Sequence, residues 1–311
     1  MRNESSRNNM THFVSAGNGE PLIFIHGVGL DHTMWQSQLD YFSSFYKVYA
    51  YDMIGHGQSE KPVKDYYRLD DFSNQLYSFT EMEQLEKAHI VGFSMGGLVA
   101  QKFSLIYPEK VKSLTIANSV ANRNEEERKS VLGRVEQVEK EGKNSTIDAA
   151  INRWFSEEYI QNRSDVVQQV RTRLVTNDDQ AYLNAYRVFA TADQDLWQEL
   201  HQIQAPTFII TGENDRGSNP RMAKEMQAKI PNATHCIVPG AKHMLPVEKA
   251  SIFNEHVLNF LKQVKEVNIT YISMANGKNL RAGSILKALT LLQKKYGVML
   301  LEAMQPMWKK R

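Results

Sequence analysis

Gly92-Phe93-Ser94-Met95-Gly96 sets one hydroxyl between two glycines, where the apolar run 88–91 gives way to the helix-like stretch 97–107. A strand that turns this abruptly into a helix lifts the serine above the sheet edge, and only small residues fit two places before and after it. The helix that follows points its N-terminal amides and dipole at the same spot, favouring negative charge that develops beside Ser94. The pattern is that of a nucleophile elbow.

A serine hydroxyl is a poor nucleophile until a base takes its proton, and the base in turn needs a carboxylate to fix its tautomer and stabilise its charged form. On an elbow scaffold the partners follow in the order serine, acid, histidine. The turn Gly212-Glu213-Asn214-Asp215, after the run 206–211, offers Asp215 as the acid, with Glu213 as its rival. Pro239-Gly240-Ala241-Lys242-His243 offers His243 as the base; His235 falls inside a strand-like run, His256 in the last helix and His201 in a helical insertion. An acyl-transfer intermediate also needs two donors aimed at its oxyanion. The Met95 amide, next to the nucleophile, is one candidate, and the Val28 amide in the loop His26-Gly27-Val28-Gly29 is the other. Together these residues point to hydrolysis of a small carboxylic ester or lactone through an acyl-enzyme. Gly55-His56-Gly57 lacks a third glycine at dinucleotide spacing and any Gly-Lys-Ser/Thr, so it reads as a tight loop. The nine histidines contain no HExxH, and no cofactor or metal is implied.

The elements that must position these groups alternate along the chain. Strand-like runs at 22–26, 47–51, 88–91, 111–117, 206–211 and 234–238 are separated by helical stretches at 32–43, 69–86, 97–107, 220–230 and 246–262. This order predicts an α/β fold with a mostly parallel sheet covered by helices on both faces. The alternation stops between residues 122 and 204, where 125–141, 147–155, 165–175 and 179–191 all carry helical spacing. The expected organisation is a core from 11–121 and 205–262, a helical cap over 122–204, and a C-terminal extension over 263–311. An insertion that leaves and rejoins the sheet at strand C-terminal ends belongs over the ligand site. Arg153, Trp154 and Phe155, with Tyr186 and Trp197, are its candidate pocket residues, Arg153 as a guide for a carboxylate-bearing substrate.

The 311 residues, 42% apolar and 23% charged, describe a globular chain with room for a substantial core, and a formal charge of +2 gives no reason to expect a nucleic-acid partner. Residues 263–311 hold nine Lys and Arg against two acidic residues, so the rest of the chain is net acidic. Ile285, Leu289, Leu292 and Tyr296 share one helical face with lysines nearby, a pattern suited to packing on the body or to weak membrane-surface docking without insertion. The single cysteine, Cys236, excludes an internal disulfide and reads as a packed strand residue. Residues 1–10 lack the apolar core of a secretory signal, and no run reaches the length of a membrane span. The expectation is a cytoplasmic enzyme acting on a small molecule; its oligomeric state is not encoded in these patterns.

Taken together the residues resemble the α/β-hydrolase superfamily, over roughly residues 12–262. HGVG at 26–29, YDMIGHGQS at 51–59, the elbow, GEND at 212–215 and the His243 loop fall in the family's order. GFSMGG at 92–97, ANSVANR at 117–123, RWF at 153–155 and HMLPVE at 243–248 look most like the 3-oxoadipate enol-lactonase and carboxylesterase branch. The resemblance implies a serine hydrolase. It leaves as alternatives a carbon–carbon bond hydrolase or perhydrolase-type reaction, and a non-catalytic ligand receptor or scaffold. Carbon–carbon bond hydrolases of aromatic degradation usually carry Trp after the base, where this chain has Met244, and haloalkane dehalogenases need Asp in place of Ser94. Two departures stand out: space for one strand ahead of residue 22, where the family often has two, and the long tail.

Overall fold

The computed structural model describes residues 2–6 and 9–275. Eight strands form one sheet: β1 (Arg2–Ser6), β2 (Asn9–Ala16), β3 (Pro21–Ile25), β4 (Lys47–Tyr51), β5 (Ala88–Phe93), β6 (Val111–Ala117), β7 (Thr207–Gly212) and β8 (Ala233–Val238). Their order across the sheet is β1-β2-β4-β3-β5-β6-β7-β8, antiparallel from β1 to β4 and parallel thereafter. Two strands therefore precede β3, where the sequence left space for one. Arg2–Ser6 has no apolar alternation to betray it; its pairing with β2 is a backbone register running from Arg2 opposite Ser15 to Ser6 opposite Asn9.

The helices are α1 (Gln36–Phe42), α2 (Leu69–Met82), α3 (Met95–Ile106), α4 (Glu125–Glu141), α5 (Ile147–Trp154), α6 (Glu157–Asn162), α7 (Ser164–Val175), α8 (Asp179–Thr191), α9 (Asp193–Glu199), α10 (Pro220–Lys229), α11 (Leu245–Glu248) and α12 (Ala250–Ala275). β3 and β5 are buried on both faces, as central parallel strands must be when helices cover both sides. Helix α2 stops short of residue 86 because Gln84 turns left-handed at φ 54° and the Leu85 N–H donates to the Thr80 carbonyl. The expected helix 246–262 breaks at Lys249, and α12 continues past residue 262. Contacts divide the chain into two units, Met1–Glu255, with the whole sheet and the insertion, and His256–Arg311, described only along α12. The amphipathic pattern at 285–296 lies outside the described residues. Among the described residues no helix is long and apolar enough to cross a membrane.

Six helices, α4 to α9, make up the insertion between β6 and β7, two more than the sequence pattern gave, because α6 and α9 are short. Three of them, α4, α6 and α8, start at a side-chain cap. Asn124 caps α4 by accepting from the Glu127 N–H, while Glu127 reaches back to the Asn124 N–H. Although α4 is densely charged, Val131, Val135 and Val138 recur at helical spacing and are buried, with α8 packed alongside. Asp178 caps α8 by accepting from the Ala181 N–H, and Ser156 caps α6 by accepting from the Tyr159 N–H. At the root of the insertion Arg123 pairs with Asp193 at 2.6 Å, both almost wholly buried, and lies over the Phe189 ring. Arg128 approaches the same carboxylate at 3.5 Å.

Candidate active site

The sheet register brings five strand ends to one place. Ile25 lies opposite Gly92, Phe93 opposite Ala117, Ala117 opposite Ile210, and Gly212 opposite Val238. The residues that follow β3, β5, β6, β7 and β8 therefore crowd together at the sheet's C-terminal edge, the usual ligand end of an open α/β sheet.

Ser94 sits between β5 and α3 at φ 53°, ψ −114°, a conformation that a side chain rarely adopts and that the surrounding turn must enforce. Its N–H donates to the Ala117 carbonyl, and its own carbonyl accepts from Gly97 N–H and from the Ser119 hydroxyl. The two flanking glycines are obligatory. A Cβ on Gly92 would run into the Gly96 carbonyl, and one on Gly96 into the carbonyls of Ile25 and His26.

His243 Nε2 stands 3.2 Å from Ser94 Oγ, and its Nδ1 stands 2.7 Å from Asp215 Oδ2. All three residues are buried. An Nδ1–H tautomer donates to the carboxylate and leaves Nε2 free to accept the serine proton. The other Asp215 oxygen accepts from the Gly217 and Ser218 amides at 3.0 and 2.9 Å. Asn118 Nδ2 adds a bond of 2.8 Å to Oδ2. Asn118 ends β6 in a left-handed turn at φ 45°; no spacing rule marks it in the sequence, though it lies inside the ANSVANR stretch. Glu213 is turned away, its carboxylate accepting from the Gly240 amide at an exposed position.

The loop after β3 runs beside the serine, for a Cβ on Gly27 would meet Ser94 Cβ at 3.2 Å. The Val28 and Met95 amides enter none of the hydrogen bonds of the surrounding turns. His26 braces this loop from below: Nδ1 bonds the Gly27 carbonyl at 2.8 Å and Nε2 accepts from the Met53 N–H at 2.9 Å. Burial drives the His26 imidazole down to about 4, only partly opposed by Asp52, and burial together with His26 drives His56 down to about 3. Both rings are therefore neutral at pH 7.

One group of metal-ligating types occurs among the described residues, His12, His32 and Asp52, with ligand atoms within 4.8 Å of one another. Its carboxylate is already engaged: Oδ1 accepts from His32 N and Nδ1 at 2.8 and 2.7 Å, and Oδ2 from Gln58 N at 2.9 Å. Burial alone would raise the Asp52 carboxyl, yet the His32 bond and charge outweigh it and hold it at about 2. The cluster ties the loop after β3 to the loop after β4.

Over Ser94 the insertion closes a pocket of about 70 Å³, lined by Val28, Arg153, Trp154, Tyr182 and Tyr186 among others. Arg153 and Trp154 thus reach it as the sequence suggested, and so does Tyr186. Phe155 does not: the chain turns extended after α5, and its ring is fully buried, stacked on Tyr159 at 5.3 Å. Trp197 is likewise elsewhere, under the Lys229 ammonium. The Trp154 and Phe93 rings flank the His243 imidazole at 5.7 and 4.9 Å. One backbone bond and one side-chain bond sew the insertion to both loops, Met244 N–H to the Trp154 carbonyl at 3.0 Å and Asn177 Nδ2 to the Gly29 carbonyl at 2.8 Å.

A mostly parallel sheet with an elbow after β5 and a helical insertion after β6 defines the α/β-hydrolase class, and the chain belongs to that family. A family model described as alpha/beta hydrolase fold matches residues 20–250. The chain is 30% identical over 260 residues to (E)-2-((N-methylformamido)methylene)succinate hydrolase of Acinetobacter baylyi, covering 83% of this chain and 96% of that protein. It is 31% identical to 3-oxoadipate enol-lactonase 1 of the same organism, over 80% of this chain and 91% of the relative. Among solved structures, the enol-lactonase of Burkholderia xenovorans superposes with a TM-score of 0.77 at 24% identity, over 84% of this chain and all of that one. The resemblance to the enol-lactonase and carboxylesterase branch stands.

Proposed function

We propose that this α/β-hydrolase cleaves a small carboxylic ester or lactone through an acyl-enzyme formed on Ser94. The observation that carries this reading is the unbroken chain from Ser94 Oγ through His243 to Asp215, at 3.2 and 2.7 Å. Ser94 Oγ attacks the substrate carbonyl as its proton passes to His243 Nε2, while Asp215 orients the ring and offsets the imidazolium charge. The Val28 and Met95 amides hold the oxyanion of the tetrahedral intermediate. Collapse expels the alkoxide or enolate oxygen, which takes the proton from His243; water then gives a proton to His243 as it attacks the acyl carbon, and His243 returns that proton to Ser94 Oγ as the acid is released. The insertion over 122–204 acts as the cap that shields this sequence from bulk water.

Similarity to a named enol-lactonase supports a cyclic ester among the substrates, and the uncharged rings beside His243 supply an apolar wall for it. The test is labelling with an uncharged fluorophosphonate, followed by a panel of short aryl esters and enol-lactones. Wild type should label on Ser94, and Ser94→Ala should lose both the label and roughly 10⁵-fold or more of turnover. Retained turnover in Ser94→Ala would sink the reading.

A further inference from the structure

Residues 117–119, where β6 ends, touch every member of the proposed triad. The Ala117 carbonyl accepts from the Ser94 N–H at 2.9 Å, and the Ser119 hydroxyl donates to the Ser94 carbonyl at 2.7 Å. Between them Asn118 is wholly buried, and its amide reaches the other two loops. Nδ2 donates to Asp215 Oδ2 at 2.8 Å and lies 3.4 Å from both the Thr211 hydroxyl oxygen and the carbonyl of Lys242, the residue before His243. The amide cannot be turned round. A carboxylate and a carbonyl only accept, and the Thr211 hydroxyl has given its proton to the Ser218 carbonyl at 2.6 Å, so all three neighbours call for the NH₂ group.

This placement carries two costs. The Asn118 backbone is left-handed at φ 45°, and the buried Oδ1 has no hydrogen-bond partner among the described residues. A glycine would relieve the first and an apolar side chain the second; the donor at Nδ2 offsets both. Its effect is felt at the carboxylate, which has about four acceptor positions. The Gly217 and Ser218 amides take Oδ1, and Asn118 shares Oδ2 with His243 Nδ1. We infer that Asn118 is a positioning residue for the reaction: it fixes the Asp215 carboxylate against the base and, by drawing on the same oxygen that His243 uses, sets how readily the imidazolium gives up its proton. This rests on the hydrolase reading above and adds a residue to it.

Asn118→Gly keeps the left-handed turn and removes the amide; Asn118→Asp keeps the shape and replaces the donor by an acceptor. The measurement is the pH dependence of kcat/KM for a short uncharged aryl ester, with the His243 imidazole followed by proton NMR in the same proteins. A midpoint does not depend on how much of a variant folds. In Asn118→Gly the acid limb and the His243 titration should both move up by about one pH unit, because a carboxylate with one donor fewer holds the imidazolium more tightly. The plateau kcat should drop about 10-fold while KM changes little. Asn118→Asp should move both midpoints further, since it sets a second carboxylate beside the first. The other charged groups nearby, Arg134, Arg153 and Arg216 in the pocket and Lys242 and Glu213 in the adjoining loops, are the same in every variant. Midpoints unmoved in both variants would overturn the inference even if the rate fell, because a purely structural amide would lower the rate without shifting either. Failure of the hydrolase reading looks different: the uncharged fluorophosphonate would leave wild-type Ser94 unlabelled, while the NMR midpoints would still report the Asn118 contact.

Discussion

The C-terminal edge of the sheet and the underside of the insertion meet over one serine, yet they treat their polar groups in opposite ways. At the sheet edge the Asp215 carboxylate is met by donors on both oxygens, and the buried His26 has a partner for each ring nitrogen. Under the insertion two guanidiniums face the pocket with no carboxylate of their own. The Asp215 carboxylate is held on both oxygens before anything binds, so its geometry is fixed in advance, as a preorganised site requires. The insertion leaves its electrostatics open, and under the proposed function that is where selectivity would reside.

The comparison can be broken most severely at the acid. Asp215→Asn keeps the size of the side chain but removes the acceptor for His243 Nδ1–H, and kcat should fall about 10⁴-fold while KM changes little. A fall confined to KM would mean that the sheet edge binds rather than reacts. Next comes the root of the insertion, where Arg123→Ala leaves the buried Asp193 with the residue-123 N–H and the more distant Arg128 in place of its close guanidinium. A stability loss of about 3 kcal/mol is expected, read by urea denaturation. If Arg123→Ala costs nothing, the insertion is held by its apolar contacts alone.

The last of the three effects separates the two regions by pH. His26 and His56 refuse protons in the folded state that the unfolded chain accepts once pH drops below about 6.5, so their contribution is complete above that value and is lost as pH falls toward 4. For His26 alone the loss by pH 4 approaches roughly 3 kcal/mol, and at pH 5 it is about 2. The insertion has one histidine, His201, and it is exposed. Hydrogen exchange at pH 5 and pH 7, corrected for intrinsic rates, should therefore show the loops at 26–30 and 52–59 loosening while α8 holds. Equal loosening in both regions would contradict the contrast.

Legibility in the sequence follows the same divide. Ser94, Asp215 and His243 could be named because each terminates an apolar run at a turn, and turns with glycine and acidic residues stand out. Asn118 could not, since its role comes from a β6 register and a left-handed backbone that no local pattern announces. The first strand was invisible for a related reason: Arg2–Ser6 joins the sheet through backbone pairing without an apolar stripe. In the insertion the helices were readable from their spacing, but which aromatic faced the serine was not. Trp154 and Phe155 are adjacent, and only the extended turn after α5 sends one ring to the imidazole and the other into the interior.

The two seams between insertion and catalytic loops bear on how such a protein can change over generations. The Trp154 carbonyl holds the loop of His243, the proposed base, and the Asn177 side chain holds the loop of Val28, the proposed oxyanion donor. A new insertion grafted onto this sheet would have to reproduce both anchors, or it would misplace the chemistry along with the pocket. Point substitutions along α5 and α8, which leave the anchors alone, are the open route to new substrates; wholesale exchange of the domain is the closed one.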